Sequence, residues 1–163
     1  MTLSKGDKAP DFSLYNSAKE KVELSDFENK NLVLLFFPLA FTGTCTEELC
    51  SIRDNYHEYE SLDSEVVGIS VDSPFTLAKY KEEQKYNFPL LSDFNKEVSR
   101  SYGSLYDNFI LDMREVSKRS VFVIDRKGTI QHVEVLENAM EIPDFTVVKN
   151  VLEDINKNTK KSK

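Results

Sequence analysis

The chain has 163 residues, of which 40% are hydrophobic and 30% charged, and its formal net charge is −7. This size fits a single domain over residues 1–163, and the acidic balance argues against nucleic acid as a partner, because phosphate binding needs clustered Lys and Arg. There is no apolar signal region at the N-terminus and no run long enough to span a bilayer. We therefore expect a cytoplasmic protein with no membrane partner.

The N-terminal third predicts a hairpin followed by a buried strand. Asp11–Tyr15 and Lys21–Leu24 alternate polar and apolar residues around a short polar connection, which is typical of a β-hairpin. Leu32–Phe37 is apolar at every position, as in a central strand that is covered on both faces. Pro38 ends this strand because it has no N–H for the ladder.

A strand–helix–strand unit follows. Apolar residues recur at helical spacing from Thr44 to about Ser61, and Glu65–Val71 is a second apolar strand, expected to run parallel to the first. Ser73 then suits an N-cap and Pro74 the first helical position, which predicts a helix through Tyr86.

The middle of the chain is harder to interpret. Phe88–Leu91 predicts a short strand, and Asn95–Tyr102 predicts a short helix that Gly103 terminates. Between residues 104 and 118 the pattern is weak, and Phe109–Leu111 is interpreted as an edge strand.

The C-terminal part predicts a second hairpin and a closing helix. Arg119–Asp125 and Ile130–Val135 flank a turn sequence, and an amphipathic helix follows Pro143. Together the elements predict an α/β, thioredoxin-like fold. It would have a central mixed β-sheet covered by helices on both faces, and an N-terminal β-hairpin.

Both cysteines lie in the predicted helix that follows the first buried strand. Cys45 falls in the first helical turn, where free backbone N–H groups and the positive end of the helix dipole favour a thiolate. A buried, inert cysteine that continues the apolar stripe of Leu49 and Ile52 is the alternative. Position alone does not separate the two interpretations.

Cys50 lies about 140° around the helix from Cys45, on a face with polar neighbours, so we expect it near solvent. Five residues apart on an intact helix, the two cysteines are separated by roughly 8 to 9 Å between Cα atoms, beyond disulfide reach. They could bond only if the first turn unwinds. Zinc is the other use of a close cysteine pair, but His57 and His132 do not complete a structural site at the usual spacings. We expect no metal.

The segment around Cys45 resembles the peroxiredoxins, whose signature P-x-x-x-T/S-x-x-C is matched by Pro38, Thr42 and Cys45. The resemblance covers nearly the whole chain, through Gly6–Phe12, Arg53–Asp54, Gly68–Asp72 and Arg119–Asp125. Phe36–Gly43 is similar to the AhpE-type branch, whereas Cys45 and Cys50 have the spacing of the PrxQ, or bacterioferritin-comigratory, branch.

The resemblance implies a role for each matching residue. Cys45 would be the peroxidatic nucleophile and Cys50 the resolving thiol, whereas Thr42 and Arg119 would supply hydrogen bonds to the peroxide and the sulfur. Pro38 would shield the site, and Glu48 would orient Arg119 through a carboxylate pair.

The implied activity is reduction of hydrogen peroxide and organic hydroperoxides, with a Cys45–Cys50 disulfide recycled by thioredoxin or a glutaredoxin-like protein. No separate cofactor is implied, and a homodimer is possible for this family. Two alternatives stay open: a one-cysteine peroxidase whose sulfenate is resolved by an external thiol, and a non-enzymatic thioredoxin-fold redox sensor.

Overall fold

A computed structural model describes residues 2–161, and the side chains of 2–158. It contains nine strands, five α-helices and two short 3-10 turns within this range. The strands are β1 Ser13–Asn16, β2 Lys21–Glu23, β3 Asn31–Phe36, β4 Ser64–Ser70, β5 Leu90–Ser92, β6 Leu105–Asn108, β7 Arg114–Ser117, β8 Ser120–Ile124 and β9 Ile130–Val135. The helices are α1 Gly43–Asp54, α2 Tyr56–Ser61, α3 Pro74–Gln84, α4 Glu97–Ser101 and α5 Phe145–Lys161.

Seven of the strands form one mixed sheet in the order β2-β1-β5-β4-β3-β8-β9. The pairs β3–β4 and β4–β5 are parallel, whereas β3–β8, β8–β9, β1–β5 and β1–β2 are antiparallel. The predicted mixed sheet, the N-terminal hairpin and the second hairpin are therefore confirmed, and the first two buried strands are parallel neighbours as expected.

The central strand β3 separates two hydrophobic clusters. Val33 and Leu35 face a cluster that includes residues of α1, α2, α3 and α5, whereas Leu32 and Leu34 face a cluster that includes α4 and the N-terminal segment. Because successive side chains of a strand point to opposite faces, an uninterrupted apolar run requires cover on both sides. Helices lie against both faces, as the sequence predicted.

The helix predicted from Thr44 to about Ser61 is interrupted, and this part of the prediction is wrong. Asn55 leaves helical geometry, with φ −113° and ψ 17°. Its side-chain amide and its backbone N–H both donate to the Ser51 carbonyl, over 2.9 and 3.2 Å, so the side chain folds back onto the last turn of α1. The chain restarts as the short helix α2, which still buries Tyr59.

The next helix begins as predicted and ends early. The Ser73 hydroxyl accepts the Thr76 N–H and Pro74 is the first helical residue, but α3 ends at Gln84 and not at Tyr86. Lys85 adopts the left-handed conformation with φ 55°, which a further helical turn would not allow. The strand that follows, β5, begins at Leu90, two residues later than predicted.

The weakest prediction, an edge strand at Phe109–Leu111, is wrong. β6 and β7 pair with each other in a separate two-stranded sheet. Ile110–Asp112 is a 3-10 turn at the tip of this hairpin, with Leu111 and Asp112 both near φ 59°. Within residues 2–161 no helix is long and apolar enough to cross a membrane.

Candidate active site

Cys45 lies in the first turn of α1, just after the loop that leaves β3. Thr42 is the N-cap residue, with extended backbone (φ −88°, ψ 153°), and its carbonyl accepts the Thr46 N–H over 3.0 Å. The Cys45 side chain is fully buried. The first amides of a helix have no partner within the helix, so the sulfur lies where negative charge is favoured.

The pairing of β3 with β8 brings Arg119 to the same place. Phe36 pairs with Ser120, so Arg119 lies beside the carboxyl end of β3, where the loop to α1 begins. The Arg119 side chain is 2% exposed, and its Nη2 donates to Cys45 Sγ over 3.2 Å. A permanent cation therefore faces the sulfur inside the protein.

Two further hydrogen bonds fix the orientation of the Arg119 guanidinium. Nη1 donates to Glu48 Oε1 over 3.0 Å, and Nε donates to the Ala139 carbonyl over 2.7 Å. The backbone carbonyl of Arg119 also accepts the Leu136 N–H over 2.9 Å. Because the guanidinium of Arg119 donates to three different acceptors, it cannot turn away from Cys45 without losing a hydrogen bond.

Burial and charge act against each other in this cluster. Burial lowers the pKa of Arg119, but the Cys45 sulfur and the Glu48 carboxylate outweigh it, so the pKa rises above its ordinary value. Burial raises the pKa of Glu48 to about 7, although Arg119 acts to lower it. Glu48 Oε2 is buried and has no hydrogen-bond partner among the described residues, which explains why the ionised form is disfavoured.

Thr42 and Pro38 belong to the loop that covers the site. The Thr42 hydroxyl donates to the Leu39 carbonyl over 2.8 Å, so its hydrogen is already used and its lone pairs remain free to accept. Pro38 is buried in the first part of the loop. The structure thus places both signature residues within one short loop before Cys45.

Asp72, which sequence reasoning did not single out for the site, holds this loop to the sheet. Its Oδ2 accepts the Ala40 N–H over 2.7 Å and the Ser70 hydroxyl over 2.6 Å. Burial raises the pKa of Asp72 against the effect of these hydrogen bonds. Phe41, which follows Ala40 in this loop, has φ 68°, an unusual conformation for an aromatic residue. The anchored loop maintains it.

Cys50 is half-buried, so its sulfur is less exposed than its polar neighbours on α1 suggested. Its sulfur lies 3.6 Å from Gln84 Oε1 and 3.9 Å from the Tyr86 hydroxyl. The part of α1 around Cys50 is therefore partly covered by the end of α3 and the residues after it. Both cysteines are free thiols on one continuous helix, five residues apart.

A groove of about 500 Å³ leads to the buried cluster. One side is formed by the start of α1 and by Arg119, and the other by the β6–β7 hairpin and the segment after β9. The exposed Ile110 and Met140 lie on its rim. The lining residues are Thr42, Gly43, Thr44, Tyr106, Asn108, Phe109, Ile110, Arg119, Glu137, Asn138, Ala139 and Met140.

Neither histidine takes part in this cluster. His57 is exposed on α2, and His132 is half-buried on β9. Across the described part of the chain, no three residues among His, Cys, Asp and Glu are grouped so that they could hold a metal ion.

Of the residues singled out from the sequence, Cys45, Glu48 and Arg119 are in direct contact, Thr42 and Pro38 lie in the adjoining loop, and Cys50 lies on another face of the helix. Asp72 and Ala139 were missed. Asp72 directly follows an apolar strand, which could have suggested it, whereas a backbone carbonyl such as that of Ala139 leaves no trace in a sequence.

Comparison with known proteins shows the family to which the chain belongs. Residues 5–133 match the AhpC/TSA family. The chain is 37% identical over 132 residues to peroxiredoxin Bcp of Escherichia coli, covering 80% of this chain and 85% of that protein. It is 40% identical over 138 residues to a chloroplastic 2-Cys peroxiredoxin BAS1 of Spinacia oleracea, covering 78% of this chain but only 50% of the relative.

Among solved structures, the peroxidoxin BcpB of Mycobacterium tuberculosis superposes with a TM-score of 0.83 and 30% identity, covering 94% of this chain and 98% of that one. The sequence and the fold of the chain therefore point to the same family. The chain belongs to the AhpC/TSA family and is a peroxiredoxin.

Proposed function

We propose that the protein is a thiol peroxidase that reduces hydrogen peroxide and organic hydroperoxides with Cys45 as the nucleophile. The observation that carries this proposal is the contact of 3.2 Å between Arg119 Nη2 and Cys45 Sγ in a buried site. A sulfur beside a fixed cation at a helix start is stabilised as the thiolate, which is the reactive form.

The first step is attack of the Cys45 thiolate on one peroxide oxygen. A sulfur–oxygen bond forms, the oxygen–oxygen bond breaks, and the leaving hydroxide or alkoxide takes up a proton; Cys45 becomes a sulfenic acid. Arg119 would stabilise the charge that develops on the departing oxygen. Because the Thr42 hydrogen is bound to Leu39, Thr42 would first accept a hydrogen bond from the O–H of the peroxide.

The groove supports the wider substrate class. It reaches Thr42 and Arg119, and its walls carry apolar side chains such as Phe109, Ile110 and Met140. An alkyl hydroperoxide could therefore place its carbon chain against these residues while its peroxide group approaches the cation.

In the second step the Cys50 thiol would attack the Cys45 sulfenic acid, forming a disulfide and releasing water. A thioredoxin or a glutaredoxin-like protein would then supply two electrons and two protons to restore both thiols. This cycle requires α1 to unwind locally, because the two cysteines lie five residues apart on a continuous helix. A one-cysteine cycle with an external thiol is the second candidate, and the intact helix favours it.

Two further proposals concern setting and assembly. A cycle that begins from free thiols suits a reducing compartment, so we place the protein in the cytoplasm. The exposed Phe41 and Phe75, at 49% and 68%, could take part in a homodimer contact near the site. Sedimentation velocity on the reduced protein would test the dimer.

The test of function is non-reducing intact-mass analysis after one equivalent of hydrogen peroxide is added to fully reduced protein. Loss of two hydrogens without dimer formation supports the two-cysteine cycle. Gain of oxygen supports the one-cysteine cycle. If the mass is unchanged and the peroxide is not consumed, the peroxidase proposal is refuted. The redox-sensor alternative is refuted with it, because that alternative also requires peroxide to oxidise a cysteine.

A further inference from the structure

The polar face of α1 makes a row of contacts with α3 and the residues that follow it. Thr46 Oγ1 lies 2.9 Å from the Tyr80 hydroxyl, Cys50 Sγ contacts Gln84, and Arg53 Nη1 donates to the Gln84 carbonyl over 2.5 Å. Residues 46, 50 and 53 are spaced four and three apart, so they lie on one face of the helix.

Tyr80 is the member of this row that holds the first helical turn. It is fully buried, and its ring packs edge-on against the ring of Tyr86 with centroids 5.1 Å apart. The ring of Phe41, from the loop before Cys45, packs on the Tyr80 ring with centroids 4.9 Å apart. Tyr80 thus contacts the residue directly after Cys45 and also the loop before it.

Oxidation of Cys45 would weaken the contact between its sulfur and Arg119 and leave the hydrogen bond between Thr46 and Tyr80 intact. Arg119 donates a hydrogen bond to the Cys45 sulfur, and a sulfenic acid lacks the negative charge that strengthens this bond in the reactive thiolate. The Thr46–Tyr80 hydrogen bond joins two neutral hydroxyls, so the change of charge at sulfur leaves it in place. After oxidation, the Thr46–Tyr80 hydrogen bond and the contact between Glu48 and Arg119 still hold this end of α1, and of the two only the first joins it to α3.

We propose that Tyr80 is a positioning residue that keeps the first turn of α1 helical and thereby sets how fast Cys50 reaches the oxidised Cys45. The proposal rests on the two-cysteine cycle for its consequence in turnover. While the turn is closed, Cys45 sulfenic acid remains available to a second peroxide molecule. Once the turn opens, Cys45 can move toward Cys50, while Arg53 keeps the far end of α1 anchored.

The first experiment uses reduced protein and does not depend on catalysis. Amide hydrogen exchange of residues 46–49 is compared in wild type, Tyr80→Phe and Thr46→Val, which remove the same hydrogen bond from its two sides. We expect about two- to tenfold faster exchange in both variants, the effect of losing one buried neutral hydrogen bond. Tyr102→Phe is the matched control, because it deletes a buried hydroxyl that bonds the Pro10 carbonyl, remote from α1.

The second experiment measures the fate of oxidised Cys45 by quenched-flow mass spectrometry at rising hydrogen peroxide. In Tyr80→Phe, the sulfenic acid should form at the wild-type rate, whereas the disulfide should form about two- to tenfold faster. The peroxide concentration that yields half sulfinic acid should rise by the same factor. A purely structural defect would lower thermal stability without changing how oxidised Cys45 divides between the disulfide and the sulfinic acid.

Wild-type exchange at residues 46–49 in both Tyr80→Phe and Thr46→Val would overturn the proposal, as would an unchanged disulfide rate in Tyr80→Phe. The failure of the proposed function is distinguishable from this. If wild-type protein forms no Cys45–Cys50 disulfide, the two-cysteine cycle is refuted, and the exchange data alone then decide whether Tyr80 holds the turn.

Discussion

Replacement of Glu48 by Gln tests the electrostatics of the buried cluster through the pH dependence of stability. The pKa of Glu48 rises from 4.5 to about 7 on folding because the carboxyl is buried. The folded state therefore binds one more proton than the unfolded state between these two values. The free energy of unfolding that this group contributes is fully present below pH 4.5 and is lost as pH rises toward 7.

The size follows from the pKa difference. At 1.36 kcal/mol per unit, a rise from 4.5 to about 7 corresponds to about 3 kcal/mol. Glu48→Gln cannot titrate, so its stability relative to wild type should increase by this amount across the same interval. The other titratable groups contribute nearly equally to the free energy of unfolding of both proteins, so their contributions cancel in the difference between variant and wild type.

The assay is urea unfolding of reduced wild type and Glu48→Gln at half-unit steps from about pH 4 to pH 8, which brackets both pKa values. Glu83→Gln, an exposed carboxylate on α3, controls for the chemical exchange itself. A stability difference between Glu48→Gln and wild type that stays constant over this range would refute the account of Glu48 as a carboxyl whose ionised form is disfavoured by burial.

Three further predictions follow from individual contacts. In Arg119→Lys the ammonium cannot reproduce the three hydrogen bonds of the guanidinium, so the rate of Cys45 oxidation should fall about 100-fold. The rate is measured by peroxide competition, and wild-type reactivity would contradict the role of Arg119. Cys50→Ser should leave that rate unchanged and abolish thioredoxin-driven turnover measured with a reductase; sustained turnover would favour the one-cysteine cycle. Gly68→Ala would place a Cβ 2.9 Å from Leu90 Cδ2 and 3.2 Å from Phe37 Cε1, so it should lower the free energy of unfolding by about 1–3 kcal/mol in urea titrations, whereas wild-type stability would show that the two side chains can move aside.

The strands were predictable because their patterns reflect burial directly. The all-apolar β3 had to be covered on both faces, and the turn between β8 and β9 had the composition of a hairpin. The errors arose where a local hydrogen bond or backbone conformation decided the outcome. Asn55 breaks a helix whose apolar spacing continues, and residues 109–112 turn back on themselves because Leu111 and Asp112 adopt left-handed conformations that their residue types do not announce.

The active-site residues were predictable to the extent that they belong to one short motif. Helix position alone left Cys45 ambiguous, and only its spacing from Pro38 and Thr42 suggested chemistry. The surroundings of Cys50 were misjudged because a helical projection shows the neighbours within one helix and not those supplied by another. Gln84 and Tyr86, more than thirty residues away, partly cover Cys50 on the face that looked solvent-exposed.

Glu48 and Cys45 share a single cation, and this sharing bears on catalysis. Because burial raises the pKa of Glu48, the protonated carboxyl is favoured toward acid pH, so less of the Arg119 charge is neutralised by Glu48 while Nη1 still has an acceptor. Glu48→Gln preserves that neutral acceptor, whereas Glu48→Ala leaves a buried N–H unsatisfied, which costs about 1–3 kcal/mol and frees the guanidinium to rotate. The rate of Cys45 oxidation should therefore stay within about threefold of wild type in Glu48→Gln and fall about 10- to 100-fold in Glu48→Ala. Equal losses in both variants would mean that the negative charge of Glu48, and not its hydrogen bond, keeps Arg119 on the sulfur.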